Sequence, residues 1–128
     1  PTERGLVVVL GDATGHGIAP ALSVTQMQAM LRMAFRLGAD LATAFRHVND
    51  QLVATLADDR FITAFIGMLD PLTHRFEFHS GGQGPILHLS AATGECTSHR
   101  PTSFPLGAMP LAALRPAVTL EMRLGRRV

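Results

Sequence analysis

Asp12 stands in the run Gly11-Asp12-Ala13-Thr14-Gly15-His16-Gly17, directly after the apolar stretch Leu6-Val7-Val8-Val9-Leu10. That stretch is short, continuous and β-branched, which predicts a strand covered on both faces. From Ile18 onward the apolar residues recur at a helical period. The glycine-rich run therefore lies at a strand-to-helix junction, where exposed backbone amides and a carboxylate can meet a ligand.

Several chemistries compete for this run. Glycines at 11, 15 and 17 are spaced GxxxGxG, a pattern similar to the cofactor loop of short-chain dehydrogenases, which would bring a pyrophosphate onto the helix N-terminus. Asp12 would then sit beside an anionic phosphate, and the chain has no tyrosine for the Tyr-x-x-x-Lys motif of those enzymes. A Walker loop fits less well, because His16-Gly17 stands where Lys-Ser/Thr is needed. A simple glycine turn with Asp12 as a local cap is the remaining structural reading.

The flanking elements are legible from periodicity. Leu22, Val24, Met27, Met30, Leu31, Ala34 and Leu37 share a helical period from Ile18 to Leu37, with Pro20 in the first turn and Gly38 at the C-cap. Asp40 can cap a second helix whose apolar stripe runs Leu41, Ala44, Phe45, Val48, Leu52 and Leu56. Phe61 to Leu69 and His74 to His79 form a hairpin across Asp70-Pro71-Leu72-Thr73. A second hairpin joins Pro85–Leu89 to Cys96–His99, and Val118 to Leu124 alternates as a further strand. Two successive helices followed by a meander predict an α+β domain with a largely antiparallel sheet, which is not a Rossmann arrangement.

With 128 residues, 47% of them apolar, the chain has the size of one domain and can bury a core without disulfides or a structural metal. The net charge is +1, with Arg126 and Arg127 the only basic pair near the end; this is too little for a nucleic-acid footprint. Cys96 is the sole cysteine. A buried structural thiol in a reducing cytosol is expected, and no apolar run approaches the length needed to span a bilayer.

Gly11-Asp12-Ala13-Thr14-Gly15-His16-Gly17-Ile18-Ala19-Pro20-Ala21 resembles the GD-x-x-GHG-x-x-A-A segment of SpoIIE/RsbU-type phosphatases of the PP2C-like class. The likeness continues in order through Asn49 and Leu52, Arg60-Phe61-Ile62-Thr63-Ala64-Phe65, and Leu69-Asp70-Pro71. It extends through Ser80-Gly81-Gly82-Gln83-Gly84-Pro85-Ile86-Leu87, where Gln83 replaces a commoner His, to Phe104-Pro105-Leu106-Gly107.

The resemblance implies a single domain over residues 1–128, an αββα sandwich of antiparallel sheets flanked by helices, with a two-metal centre at one end. It implies a phosphoserine/phosphothreonine phosphatase that uses Mn²⁺ or Mg²⁺, with Asp12 bridging the ions and the Ala13 carbonyl ligating one of them. Hard ions of this kind choose carboxylate, carbonyl and water oxygens. His16 is either the proton donor to the leaving oxygen or an exposed histidine at the helix start; its offset from Asp12 differs from that of the acid histidine in eukaryotic relatives. The other histidines, at 47, 74, 79, 88 and 99, show no ligand spacing and are read as surface or strand-face residues. Asp58 and Asp59 are read as a solvated loop.

The family pattern also has acidic G-G-D-x-x-D and D-G-x-x-E segments, neither of which occurs in these residues. Trimming at both ends and a degenerate domain are the two readings of that difference. The partners implied are a phosphorylated regulatory protein of the anti-sigma-factor antagonist type and an upstream sensor domain, in the cytoplasm. A homodimer through exposed sheet edges is a further expectation, and a noncatalytic interaction module is the alternative function.

Overall fold

The computed structural model describes residues 1–123. Leu124, the expected end of the last strand, and the Arg126-Arg127 pair lie outside the described residues. The element order is β1 (Leu6–Ala13), α1 (Ile18–Arg36), α2 (Leu41–Thr55), β2 (Ile62–Asp70), β3 (Arg75–Gly81), β4 (Ile86–Leu89), β5 (Cys96–His99) and β6 (Val118–Glu121). Strands β1-β2-β3-β6 make one sheet and β4-β5 another. All of these pairings are antiparallel. The architecture is α+β, as the element order predicts, and no parallel nucleotide-binding sheet is formed by the described strands.

Local chemistry sets the boundaries. α1 stops where Gly38 takes φ 86° and donates its N–H to the Phe35 carbonyl at 3.1 Å, a left-handed termination that suits glycine. Asp40 then caps α2, its Oδ1 accepting from the Thr43 N–H at 2.7 Å. That bond holds the Asp40 carboxyl below its ordinary range. Between β2 and β3 the Asp70 carboxylate accepts from the Leu72 N–H at 2.9 Å and the Thr73 N–H at 3.3 Å, and His74 closes the turn with φ 56°.

Both helices cover one face of the large sheet. Met27 and Leu31 of α1 and Ala44, Phe45, Val48 and Leu52 of α2 pack with Ile62, Ala64 and Ile66 of β2 and with Leu106. Each large apolar side chain fully buried there contributes about 1.5–3 kcal/mol.

The opposite face differs from expectation. Leu6, Val8 and Leu10 alternate with the helix-facing Val7 and Gly11 and remain 44%, 41% and 57% exposed. The physical reason is where the second layer sits: the β4-β5 hairpin meets the sheet at β3, with the His99 ring edge-on to Phe78 at 6.0 Å. Phe65, Phe76 and Phe78 form an aromatic group on that face, for which Gly67 makes room: a Cβ there would stand 2.2 Å from the Phe76 Cζ.

Cys96 corrects another expectation. It is exposed rather than buried, because it opens β5 opposite Leu89, next to the turn of a hairpin of only two strands.

Candidate active site

The motif segments that are far apart in sequence meet at one end of the large sheet. Antiparallel register sets Asp12 opposite Thr63 and Ala13 opposite Ile62. Phe65 pairs with Ser80 of β3, and the chain leaving β3 forms a bridge from Gly82 to Ala64. Leu106 exchanges backbone hydrogen bonds of 2.9 and 2.8 Å with Ile62, so the Phe104-Pro105-Leu106-Gly107 segment completes the cluster.

Each turn around Asp12 has a fastening. Gly11 lies so close to α1 that a Cβ would stand 2.6 Å from the Met27 Cε, and this lets the helix pack directly on the end of β1. Thr14 is clamped to Phe61: its N–H donates to the Phe61 carbonyl at 3.0 Å, and its Oγ1 accepts from the Phe61 N–H at 3.1 Å. Gly15 and Gly17 then take φ 90° and 88°, the left-handed region, to reverse the chain into α1.

The same bonding orients the Ala13 main chain. Polar backbone groups of successive strand residues point to opposite sides in the plane of the sheet. Thr14 directs its N–H toward β2, and Asp12 is paired with Thr63, so the Ala13 carbonyl between them turns off the free edge of β1. Asp12 itself is exposed, on the sheet face away from the helices. His16 is also exposed, in the bend just before α1.

Thr63 and Gln83 complete the floor of the site. The Thr63 hydroxyl lies 3.0 Å from Gln83 Oε1 and 3.3 Å from the Asp12 carbonyl oxygen. Buried Ser80 donates its hydroxyl to the Gln83 carbonyl, while Gly82 donates its N–H to the Ser103 carbonyl at 2.9 Å. The Gln83 side chain is therefore held from both its backbone and its amide end.

Farther back, Asn49 is 1% exposed and pins the segment after Leu106. Its Oδ1 accepts from the Gly107 N–H at 3.0 Å and its Nδ2 donates to the Met109 carbonyl at 3.1 Å. Sequence reasoning reached Asn49 only as part of a family pattern; its structural work depends on contacts nearly sixty positions away.

His79 is a strand-face residue, as expected, but a buried one. It packs against Phe45 with ring centroids 5.3 Å apart, and its Nδ1 lies 3.2 Å from the Thr102 hydroxyl. Burial lowers its proton affinity. Asp58 and Asp59 are exposed in the turn before β2.

The donors around Asp12 are oxygens of the right hardness for Mg²⁺ or Mn²⁺: one carboxylate, the outward Ala13 carbonyl, and the Thr63 and Gln83 side chains. Their number falls short. Among the described residues no group of three or more His, Cys, Asp or Glu side chains is placed to hold a metal ion. These residues alone do not fit a two-ion centre, which gathers several anionic oxygens.

Comparison with known proteins agrees with this layout. A family model described as Stage II sporulation protein E (SpoIIE) matches residues 2–128. The crystal structure of the RsbU and RsbW domains of a Mycobacterium tuberculosis protein superposes with a TM-score of 0.80 at 26% identity, over 97% of this chain and 34% of that one. The PP2C phosphatase domain, with a fragment of the regulatory domain, of SpoIIE from Bacillus subtilis gives 0.75 at 15% identity, over 91% of this chain and 34% of that one. RsbX in complex with magnesium gives 0.70 at 18% identity, over 94% of this chain and 55% of that one. The chain thus spans between 34% and 55% of the length of these matched chains.

Proposed function

This chain belongs to the SpoIIE family, whose fold is PP2C-like, and from that premise we propose that the protein carrying it is a metal-dependent protein serine/threonine phosphatase. The observation that carries the reading is the meeting of the glycine-rich Asp12 loop, Thr63, Gln83 and the Leu106 segment at one end of the sheet. A turn that served only to reverse the chain would not need Asp12 exposed beside an outward carbonyl.

In this proposal Asp12 and the Ala13 carbonyl supply ligands for Mn²⁺ or Mg²⁺, and further carboxylates come from outside the 128 residues. Bound ions of this kind neutralise phosphoryl oxygens and make water nucleophilic near neutral pH. Hydrolysis joins a water oxygen to phosphorus and breaks the bond from phosphorus to the serine or threonine oxygen. That oxygen departs with a proton, for which His16 is the proposed donor.

The magnesium bound by RsbX supports the choice of a hard ion. The RsbU and RsbW domains found together in one relative support a phosphorylated regulatory partner of the anti-sigma-factor antagonist type. An upstream sensor domain, residues 1–128 acting as one unit, and a cytoplasmic site of action belong to the same proposal. No helix among the described residues is long and apolar enough to cross a membrane.

The shortage of acidic side chains around Asp12 favours one other reading, a noncatalytic module of the same fold that binds a partner through its uncovered sheet face or dimerises through the β1 edge. Mn²⁺ calorimetry and phosphoserine-peptide hydrolysis by the full-length protein separate the two. The phosphatase reading expects phosphate release that depends on Mn²⁺, and Asp12→Ala is expected to lower both turnover and Mn²⁺ affinity by at least about a hundredfold. A full-length protein that neither binds Mn²⁺ nor releases phosphate would leave the interaction module.

A further inference from the structure

We propose that Gln83 is a substrate-contacting residue whose side-chain amide N–H donates to a phosphoryl oxygen, and that Thr63 is the positioning residue that aims it. The proposal rests on the phosphatase reading of the Asp12 loop and adds to it a residue for holding the phosphate.

Three observations carry it. Thr63 lies directly across from Asp12 in the β1-β2 register, so their side chains share one face of the sheet. Thr63 Oγ1 is 3.0 Å from Gln83 Oε1. The amide oxygen is the nearer of the two acceptors within reach of the Thr63 hydroxyl, the other being the Asp12 carbonyl at 3.3 Å, and a Gln83 side chain held by its oxygen leaves both N–H groups of its NH₂ free to donate to a ligand. Finally, the backbone under Gln83 is held: Ser80 donates to its carbonyl, Thr102 and Ser103 donate their N–H groups to the Ser80 carbonyl at 2.9 and 3.0 Å, and Gly82 takes φ 70° against Pro105. Gln83 is thus half-buried, held through its backbone and its amide oxygen, and linked through Thr63 to the Asp12 main chain. A fixed neutral donor suits a phosphate bound next to a carboxylate, because it offers an N–H without adding negative charge.

Gln83→Glu is the decisive variant. Glutamate keeps the length and still accepts from Thr63, but it replaces the amide donor with an anion. The full-length protein would be assayed with Mn²⁺ on p-nitrophenyl phosphate, and binding of inorganic phosphate would be followed by calorimetry. Gln83→Glu is expected to raise KM and to weaken phosphate binding at least about tenfold, since one hydrogen bond to a charged group is lost and a repulsion is added. Gln83→His keeps an N–H donor and is expected to restore most of the binding. Thr63→Val is expected to resemble Gln83→Ala, with the double variant no worse than either alone.

Wild-type phosphate affinity in Gln83→Glu overturns the proposal while leaving the phosphatase reading intact, because Asp12→Ala tests that separately. If the wild-type protein proves silent toward both p-nitrophenyl phosphate and a phosphoserine peptide, the phosphatase reading fails. Phosphate calorimetry then decides Gln83 alone: binding that Gln83→Glu removes supports it, and no binding by the wild type rejects it.

Discussion

The two faces of the large sheet are built to different standards of closure. On the helix side, Phe45, Ala44, Leu52, Ile62, Ala64 and Ile66 are all 0% exposed. On the other side, Leu6, Val8 and Leu10 keep more than 40% of their surface in water, while Asp12, Thr63 and Gln83 gather at its end. Stability is concentrated where the chain covers itself, and the proposed site lies on the face that it leaves open. In the proposed function a phosphate would approach from that open face.

The strongest way to test the contrast is to cut one side chain from each face. Phe45→Ala removes a fully buried ring that contacts His79 and is expected to cost about 3–5 kcal/mol in urea unfolding. Val8→Thr on the open face is expected to change stability by no more than about 0.5 kcal/mol. Equal losses at the two positions would mean that the open face is covered in solution, through a second copy or another segment, and sedimentation would show which.

Asn49→Ala is the next largest. The variant leaves the Gly107 N–H and the Met109 carbonyl without their partner in a buried setting. About 2–3 kcal/mol of stability is expected to go with it, the cost of stranding buried polar groups. Because Leu106 of the same segment pairs with Ile62, faster amide exchange at Leu106 in Asn49→Ala would show the loosening reaching the floor of the site. A loss below about 0.5 kcal/mol would mean that the segment is anchored by Leu106 alone.

The helix-side face was also the more legible in the sequence. Its residues are set by local rules: the helical periods of α1 and α2, the cap at Asp40, the left-handed glycine at 38 and the turn at Asp70. The other face depends on pairings between distant segments. That Thr63 meets Gln83 follows from the register of β1, β2 and β3 together, and no local pattern encodes it. Asn49 interrupts the apolar stripe of α2 for a partner at 107, and Cys96 is exposed because the hairpin it opens has only two strands. The Asp12 loop was found by its glycines and its family likeness, while the outward turn of the Ala13 carbonyl emerged only from the Thr14 clamp.

His79 gives the smallest and most specific test. It belongs to the closed face, beside Phe45, and burial favours its neutral form. Above the ordinary histidine range both folded and unfolded chains carry a neutral imidazole, so His79 adds no pH dependence there. As pH falls through about 6.5, the unfolded chain takes up a proton that the folded chain resists, and stability falls. One such group can produce a slope of at most about 1.4 kcal/mol per pH unit. Asp40, whose carboxyl is held low by the Thr43 amide, contributes only at more acidic pH, below its unfolded value of 3.8. Urea midpoints measured between pH 7.5 and 5.5 should therefore decline in the wild type and decline less in His79→Gln, which removes the titrating group and keeps a hydrogen-bonding side chain for Thr102. Parallel declines in the two proteins would assign the acid sensitivity to other groups and show that the closed face admits enough water at His79 to let it titrate normally.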